Sequence, residues 1–230
     1  MRLDVPSNRT RRKNVHIADG ILTWYWCLIW YLVAAAFVYV GARQLAARRK
    51  LNPSYMSMVG LMGAAVFVIS VWHIPVPVTG SCSHPVGTPM AAMIIGPGAT
   101  IVVSAIALFF QTFIGHGGIT ALGANEFSMG IAGTLTGYGT FLALRKAGAK
   151  IWLSAGMGGI VGDLVTYIVA AFELAISIHP TNMFNWWGIF MLGYLPTQIP
   201  LAILEFGFTA GAIQYIATHK PELLKWLMVK

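Results

Sequence analysis

The chain has 230 residues, 57% of them hydrophobic and 10% charged, with a formal net charge of +8. A soluble domain carries about 25% charged residues, so this composition excludes an ordinary soluble enzyme and leaves almost no room for a separate soluble domain. The positive charge sits in short loops and at the ends of apolar runs, the pattern of a polytopic membrane protein and not of a nucleic-acid binder.

Taken in order, residues 1–14 form a basic extension holding Arg2, Arg9, Arg11, Arg12 and Lys13. It contains no apolar stretch, so it does not read as a secretory signal. A first apolar run covers residues 21–42 and a second covers 55–72. A third, 86–114, is interrupted at Gly96-Pro97-Gly98. Runs at 127–144, 151–176 and 187–217 follow. From Leu51 through Asn125 there is no Asp, Glu, Lys or Arg.

A spanning helix needs about 20 residues at ~1.5 Å each. The third run is therefore either one long tilted helix or two short ones. Arg43, Arg48, Arg49 and Lys50 form one basic cluster; Arg145, Lys146 and Lys150 form another; Lys220, Lys225 and Lys230 form the last. Basic loops stay on the cytoplasmic side, and all three do so only if the third run breaks at Gly96-Pro97. The reading is an all-α polytopic membrane protein with seven transmembrane helices, the start of helix 1 outside and the C-terminus cytoplasmic. Its third helix, near 86–96, reaches roughly 16 Å and has to be buried among neighbours. The domain division is a basic extension (1–14), one transmembrane domain (15–218) and a cytoplasmic tail (219–230).

Two histidine motifs fall on the outer side under this topology. One is His16-Ile17-Ala18-Asp19-Gly20, ahead of the first run; the other is Ser81-Cys82-Ser83-His84-Pro85, in the 73–85 loop. Imidazoles meeting at one membrane face make a transition-metal site. His73 reads as an interfacial residue and Cys82 as support for the loop. His116, in Gly115-His116-Gly117-Gly118, reads as a lid or supporting residue in a flexible loop running from 115 to 126. Asp163, Glu173 and Glu205 lie within apolar runs, where acids are functional candidates by default. Asp163 with Tyr167, and Gln198 with Glu205, share helical faces, and the plainer reading is that they bond each other inside the bundle. Gly133-x-x-x-Gly137 and Gly158-x-x-x-Gly162 permit close helix approach.

Five blocks in order are similar to one family: residues 16–20, 79–85, 116–125, 162–167 and 197–203. Together they resemble the substrate-capture subunit of energy-coupling factor cobalt/nickel transporters, the CbiM/NikM family. The resemblance implies seven helices and capture of Co(II) or Ni(II) on the outer face as a transported substrate, with no organic cofactor. It implies a cell-membrane location and three kinds of partner: a transmembrane coupling subunit, cytoplasmic ATPase subunits and a small accessory membrane protein. Neither an enzymatic activity of this chain nor a nucleic-acid partner is expected.

The resemblance also implies the ligands: the nitrogen of Val15, the nitrogen and imidazole of His16, and the His84 imidazole. His73, Cys82, Ser83, His116 and Asn125 are the candidate supporting residues. Four nitrogens in a plane suit Ni(II) and accommodate low-spin Co(II). The family site uses a free amine one residue before the first histidine, whereas residues 1–14 make the Val15 nitrogen an amide. The expectation is a mature chain beginning at residue 15, through a reassigned start or cleavage. Glu126 is a second departure, as the family pattern implies a neutral residue there. The rival reading is a self-sufficient secondary metal transporter or channel using Asp163, Glu173 and Glu205, and the acid-free stretch 51–125 argues against it.

Overall fold

The computed structural model describes residues 17, 19–51, 55–76, 79 and 81–224. Val15, His16 and the basic extension lie outside the described residues. So does the end of the tail, with Lys225 and Lys230.

Helix α1 (Trp24–Leu51) and α2 (Tyr55–Val71) are followed by two short strands, β1 (Ile74–Val76) and β2 (Ser81–Ser83). Helix α3 (Thr88–Ile95) and α4 (Pro97–Phe113) come next. A continuous rod, α5, is α-helical over Leu122–Asn125, π-helical over Glu126–Gly133 and α-helical again over Thr134–Lys146. Helices α6 (Ile151–Ile178) and α7 (Met183–His219) complete the bundle. Among the described residues, three helices are long and apolar enough to cross a membrane, those within Trp24–Lys50, Ile151–Ile178 and Pro180–His219. Apolar side chains such as Leu28, Leu32, Leu192, Ile199 and Ile203 point outward, while Ser104, Gln111, Thr166 and Gln198 are buried. That is the reverse of a soluble protein and suits a hydrocarbon solvent.

The break at Gly96-Pro97 is present. Gly96 has φ 85°, a conformation that favours glycine, and Pro97 opens α4 where its missing N–H costs nothing. Every residue of α3 is buried, and both of its ends are satisfied by side chains from elsewhere. At its N-terminal end, Glu205 of α7 accepts the Val86 N–H at 3.0 Å and the Gly87 N–H at 3.0 Å. At its C-terminal end, the Ile95 carbonyl accepts from Arg48 at 2.9 Å and also from the Tyr55 hydroxyl. A carboxyl at the N-terminus and a guanidinium at the C-terminus match the helix dipole. They also remove the orphan backbone groups that would forbid so short a helix in an apolar interior.

Three sequence expectations are corrected. The 73–85 loop is not wholly irregular: β1 and β2 pair antiparallel, with Pro75 opposite Cys82 and Val76 opposite Ser81. Backbone groups at the end of the bundle meet each other's needs this way, since no helix reaches them. The loop after α4 ends at residue 121, not 126. Asn125 donates its N–H to Ala121 O at 2.9 Å and therefore sits on a helix. Gly123 within that turn lies against α1, where an added Cβ would come within 2.8 Å of the Trp30 carbonyl carbon.

The third correction concerns the buried polar residues, which do not bond each other as pairs. Tyr167 bonds the His84 backbone, and Glu205 holds α3. Asp163 is the electrostatic neighbour of Glu205, and neither its oxygens nor the Gln198 amide has a hydrogen-bond partner among the described residues. Helical spacing alone puts two groups on one face, but another element pressed against that face supplies the nearer partner.

The glycine pairs do pack. A Cβ on Gly137 would lie 2.7 Å from Gly158 O, and one on Gly133 would lie 2.9 Å from Gly162 O, so α5 and α6 are in backbone contact along both motifs.

Candidate metal site

Three segments converge at one end of the bundle. The first precedes α1. Ile17 donates its N–H to Asn125 Oδ1 at 3.3 Å and its carbonyl accepts from the Gly118 N–H at 3.2 Å and from Asn125 Nδ2 at 3.4 Å. Asp19 Oδ1 accepts the Thr120 N–H at 2.7 Å and the Thr120 hydroxyl at 2.6 Å. Ile17 and Asp19 are thus latches onto the α4–α5 connection and the start of α5. Asn125 serves this purpose at the point where α5 changes from α to π winding, a distortion that recurs at functional sites.

The second segment is the α2–α3 connection carrying His84, which is buried. Tyr167 of α6 clamps it: the His84 N–H donates to the Tyr167 hydroxyl at 2.7 Å and that hydroxyl donates to the His84 carbonyl at 3.0 Å. Ser83 exchanges a hydrogen bond with Thr197 of α7 at 2.7 Å. His84 Nδ1 lies 2.9 Å from Pro85 O. A carbonyl only accepts, so Nδ1 carries the proton and the ring's lone pair is on Nε2, the nitrogen able to ligate.

The third segment is the α4–α5 connection with His116. This residue is buried, not a loose lid, and its N–H is held by Gln111 O at 2.9 Å. Its ring centroid is 5.8 Å from that of His84 and 5.1 Å from that of His73, which is exposed. Potential ligand atoms of Cys82, His84 and His116 all lie within 4.8 Å of one another. Burial pushes the Cys82 thiol well above its ordinary value, which makes it a neutral neighbour until a metal displaces its proton.

Beside these groups is a cavity of about 20 Å³ lined by Ile17, Cys82, His84, Asn125, Tyr167 and Tyr194, among others. That is room for about one water-sized particle. Of the residues singled out in the sequence, His84, Cys82, Ser83, His116, His73 and Asn125 are brought together here. Glu173 is buried elsewhere on α6. Glu126, unexpected by its charge, is buried and takes the Ser104 hydroxyl at 2.9 Å on both oxygens. Sequence reasoning missed Tyr167 as the clamp on His84. A lone phenol in the apolar run 164–170 was the available signal, and it was read as a partner for Asp163.

A small cavity with His84 in its wall, at the end of a helical bundle whose outer face is apolar, is the site of a membrane protein. Comparison with known proteins makes the class specific. Residues 16–223 match the model of the CbiM family, described as the cobalt uptake substrate-specific transmembrane region, and the chain belongs to this family of multi-pass membrane proteins. A cobalt transport protein CbiM of Sorangium cellulosum is 41% identical over 94% of this chain and 96% of its own length. One of Geobacter sulfurreducens is 38% identical over 91% of this chain, which spans 61% of that relative. In three dimensions, a truncated transition metal transporter superposes with a TM-score of 0.80 at 25% identity, covering 89% of this chain and 99% of that one.

Proposed function

We propose that this chain is the substrate-specific membrane subunit of an ATP-driven energy-coupling factor transporter, and that it captures Co(II) or Ni(II) on the outer face for uptake. Membership of a cobalt uptake family supports cobalt as cargo, and a relative of similar length is itself named a cobalt transport protein. The ligands on this reading are the Val15 nitrogen, the His16 nitrogen and imidazole, and His84 Nε2. The observation that carries it is the convergence on one buried cavity of His84 and of Ile17, the residue one peptide bond beyond His16. Latches at Ile17 and Asp19 hold the chain just beyond the proposed chelating residues, and the Tyr167 clamp holds the distant histidine, which lowers the ordering entropy left to be lost when the ion binds.

The topology proposed with it has seven membrane-crossing helices, with the metal end outside and the basic loops inside. The partners are a transmembrane coupling subunit, cytoplasmic ATPases, which perform the ATP hydrolysis, and a small accessory membrane protein. A free amine on Val15 requires residues 1–14 to be removed or never translated, which intact mass of the membrane-extracted protein tests directly.

Calorimetric titration of the purified chain with Co(II) and Ni(II) is the primary test. Tight 1:1 binding that is lost in His84→Ala, with helicity retained, is expected. Unchanged affinity in that variant overturns the ligand assignment. Uptake of radioactive metal by cells with and without the coupling subunits decides between an energised subunit and a self-sufficient transporter.

A further inference from the structure

Capture at a buried cavity poses a kinetic problem. A hydrated divalent ion sheds water reluctantly, and a bare one in an apolar interior is very costly. The structure contains three imidazoles in series between solvent and the cavity. His73 is exposed, His116 is buried next to it at 5.1 Å between ring centroids, and His84 follows at 5.8 Å at the cavity wall. His73 Nδ1 lies 3.1 Å from Val71 O. As with His84, this places the proton on Nδ1 and the lone pair on Nε2.

Two metal–imidazole bonds of about 2.0–2.1 Å in line span about 4.2 Å. The ligand atoms of His116 and His84 are within 4.8 Å, so a side-chain shift of less than an ångström lets both hold one ion. Edge-on packing of two histidines is an ordinary way to fill space. A row of three, exposed at one end and at the cavity wall at the other, in a chain holding 6 histidines in all, has a direction.

Building on capture at His84, we propose that His73 and His116 form an entry relay that passes the transition-metal ion from solvent to the cavity. His73 replaces one water of the hydrated ion at the surface. His116 binds before His73 lets go, and His84 binds before His116 lets go. At each step one metal–nitrogen bond forms and one metal–ligand bond breaks, waters leave into solvent, and no proton or electron changes hands at the metal. His73 and His116 are waypoints and belong to neither the free nor the fully bound state.

A waypoint lowers the barrier in both directions and leaves the equilibrium alone. The experiment is stopped-flow tryptophan quenching by Ni(II) on the whole chain in lipid nanodiscs, with dissociation followed in a chelator chase. In His73→Gln the association and dissociation rates should each fall on the order of tenfold, with Kd unchanged within about twofold. Because His73 is exposed, this variant keeps its fold; His116→Gln is the companion, with circular dichroism to confirm folding. Rates equal to those of the unaltered chain in His73→Gln overturn the relay. A weakened Kd from faster dissociation alone also overturns it, by making His73 a ligand of the final site. Absence of any Ni(II) binding by the unaltered chain overturns the capture reading itself, and the relay with it.

Discussion

Replacing Tyr167 by Phe removes one oxygen that makes two hydrogen bonds to a single buried residue, at 2.7 and 3.0 Å. The ring and its contacts stay, including the edge-on approach to Tyr194 at 5.1 Å, so the substitution tests the hydroxyl alone. A buried backbone group deprived of its partner costs about 1–3 kcal/mol, which for a donor and an acceptor together comes to roughly 2–6 kcal/mol. The His84 segment recovers part of this by loosening in the metal-free chain, where water can reach its backbone. Binding must then reorder it, and the apparent affinity falls with the fraction of chains in the competent form.

A loss of about half the total, roughly 1–3 kcal/mol, centres on a 10–100-fold weaker Kd. The assay is calorimetric titration of Tyr167→Phe with Ni(II), beside Tyr215→Phe, an exposed tyrosine far along α7, as control. The expected result is a 10–100-fold loss in the first and none in the second, with unchanged helicity in both. Full affinity in Tyr167→Phe refutes the claim that the clamp organises the site.

Glu205→Gln leaves one acceptor oxygen for two amides, keeping the Oε2 bonds to Val86 and Gly87 at best, and sets an NH₂ group where Oε1 takes the Gly87 N–H at 3.0 Å. Metal affinity and thermal stability should both fall, by about 1–3 kcal/mol in stability, read as a lower midpoint in detergent; an unchanged midpoint would mean that α3 does not depend on this cap. Gly137→Val forces α5 away from Gly158 O and Pro89, which an added Cβ would meet at 2.7 and 2.8 Å. A cost of about 1–3 kcal/mol and poor recovery of folded protein are expected, whereas Gly139→Val, with open space at that position, should be tolerated. For orientation, with Cys27 and Cys82 replaced by Ser, a cysteine at exposed Ile119 should react with an impermeant thiol reagent in intact cells and one at exposed Ala147 should not; the opposite labelling inverts the topology.

The amino-acid sequence by itself determined the class of this protein and most of its helices. Twenty apolar residues in water have no stable alternative to a membrane or a core, and the runs could be read directly. It also located the break at Gly96-Pro97, because only a break there puts all three basic clusters on one side of the membrane. His84, His73 and His116 were visible as rare polar residues in an apolar chain.

Tertiary structure decided which groups meet. Helical spacing suggested that Asp163 would pair with Tyr167 and Gln198 with Glu205. Instead Tyr167 reaches 83 positions back to His84, and Glu205 reaches 118 back to Gly87. Partners at such separations are chosen by how helices pack, a property of the whole bundle and not of any window along it. The same holds for His116, which looked like part of a flexible glycine-rich loop. It is buried beside His73 and His84, where the bonds at Ile17, Asp19 and Asn125 tie the segment before α1 to the α4–α5 connection and Tyr167 holds the segment of His84.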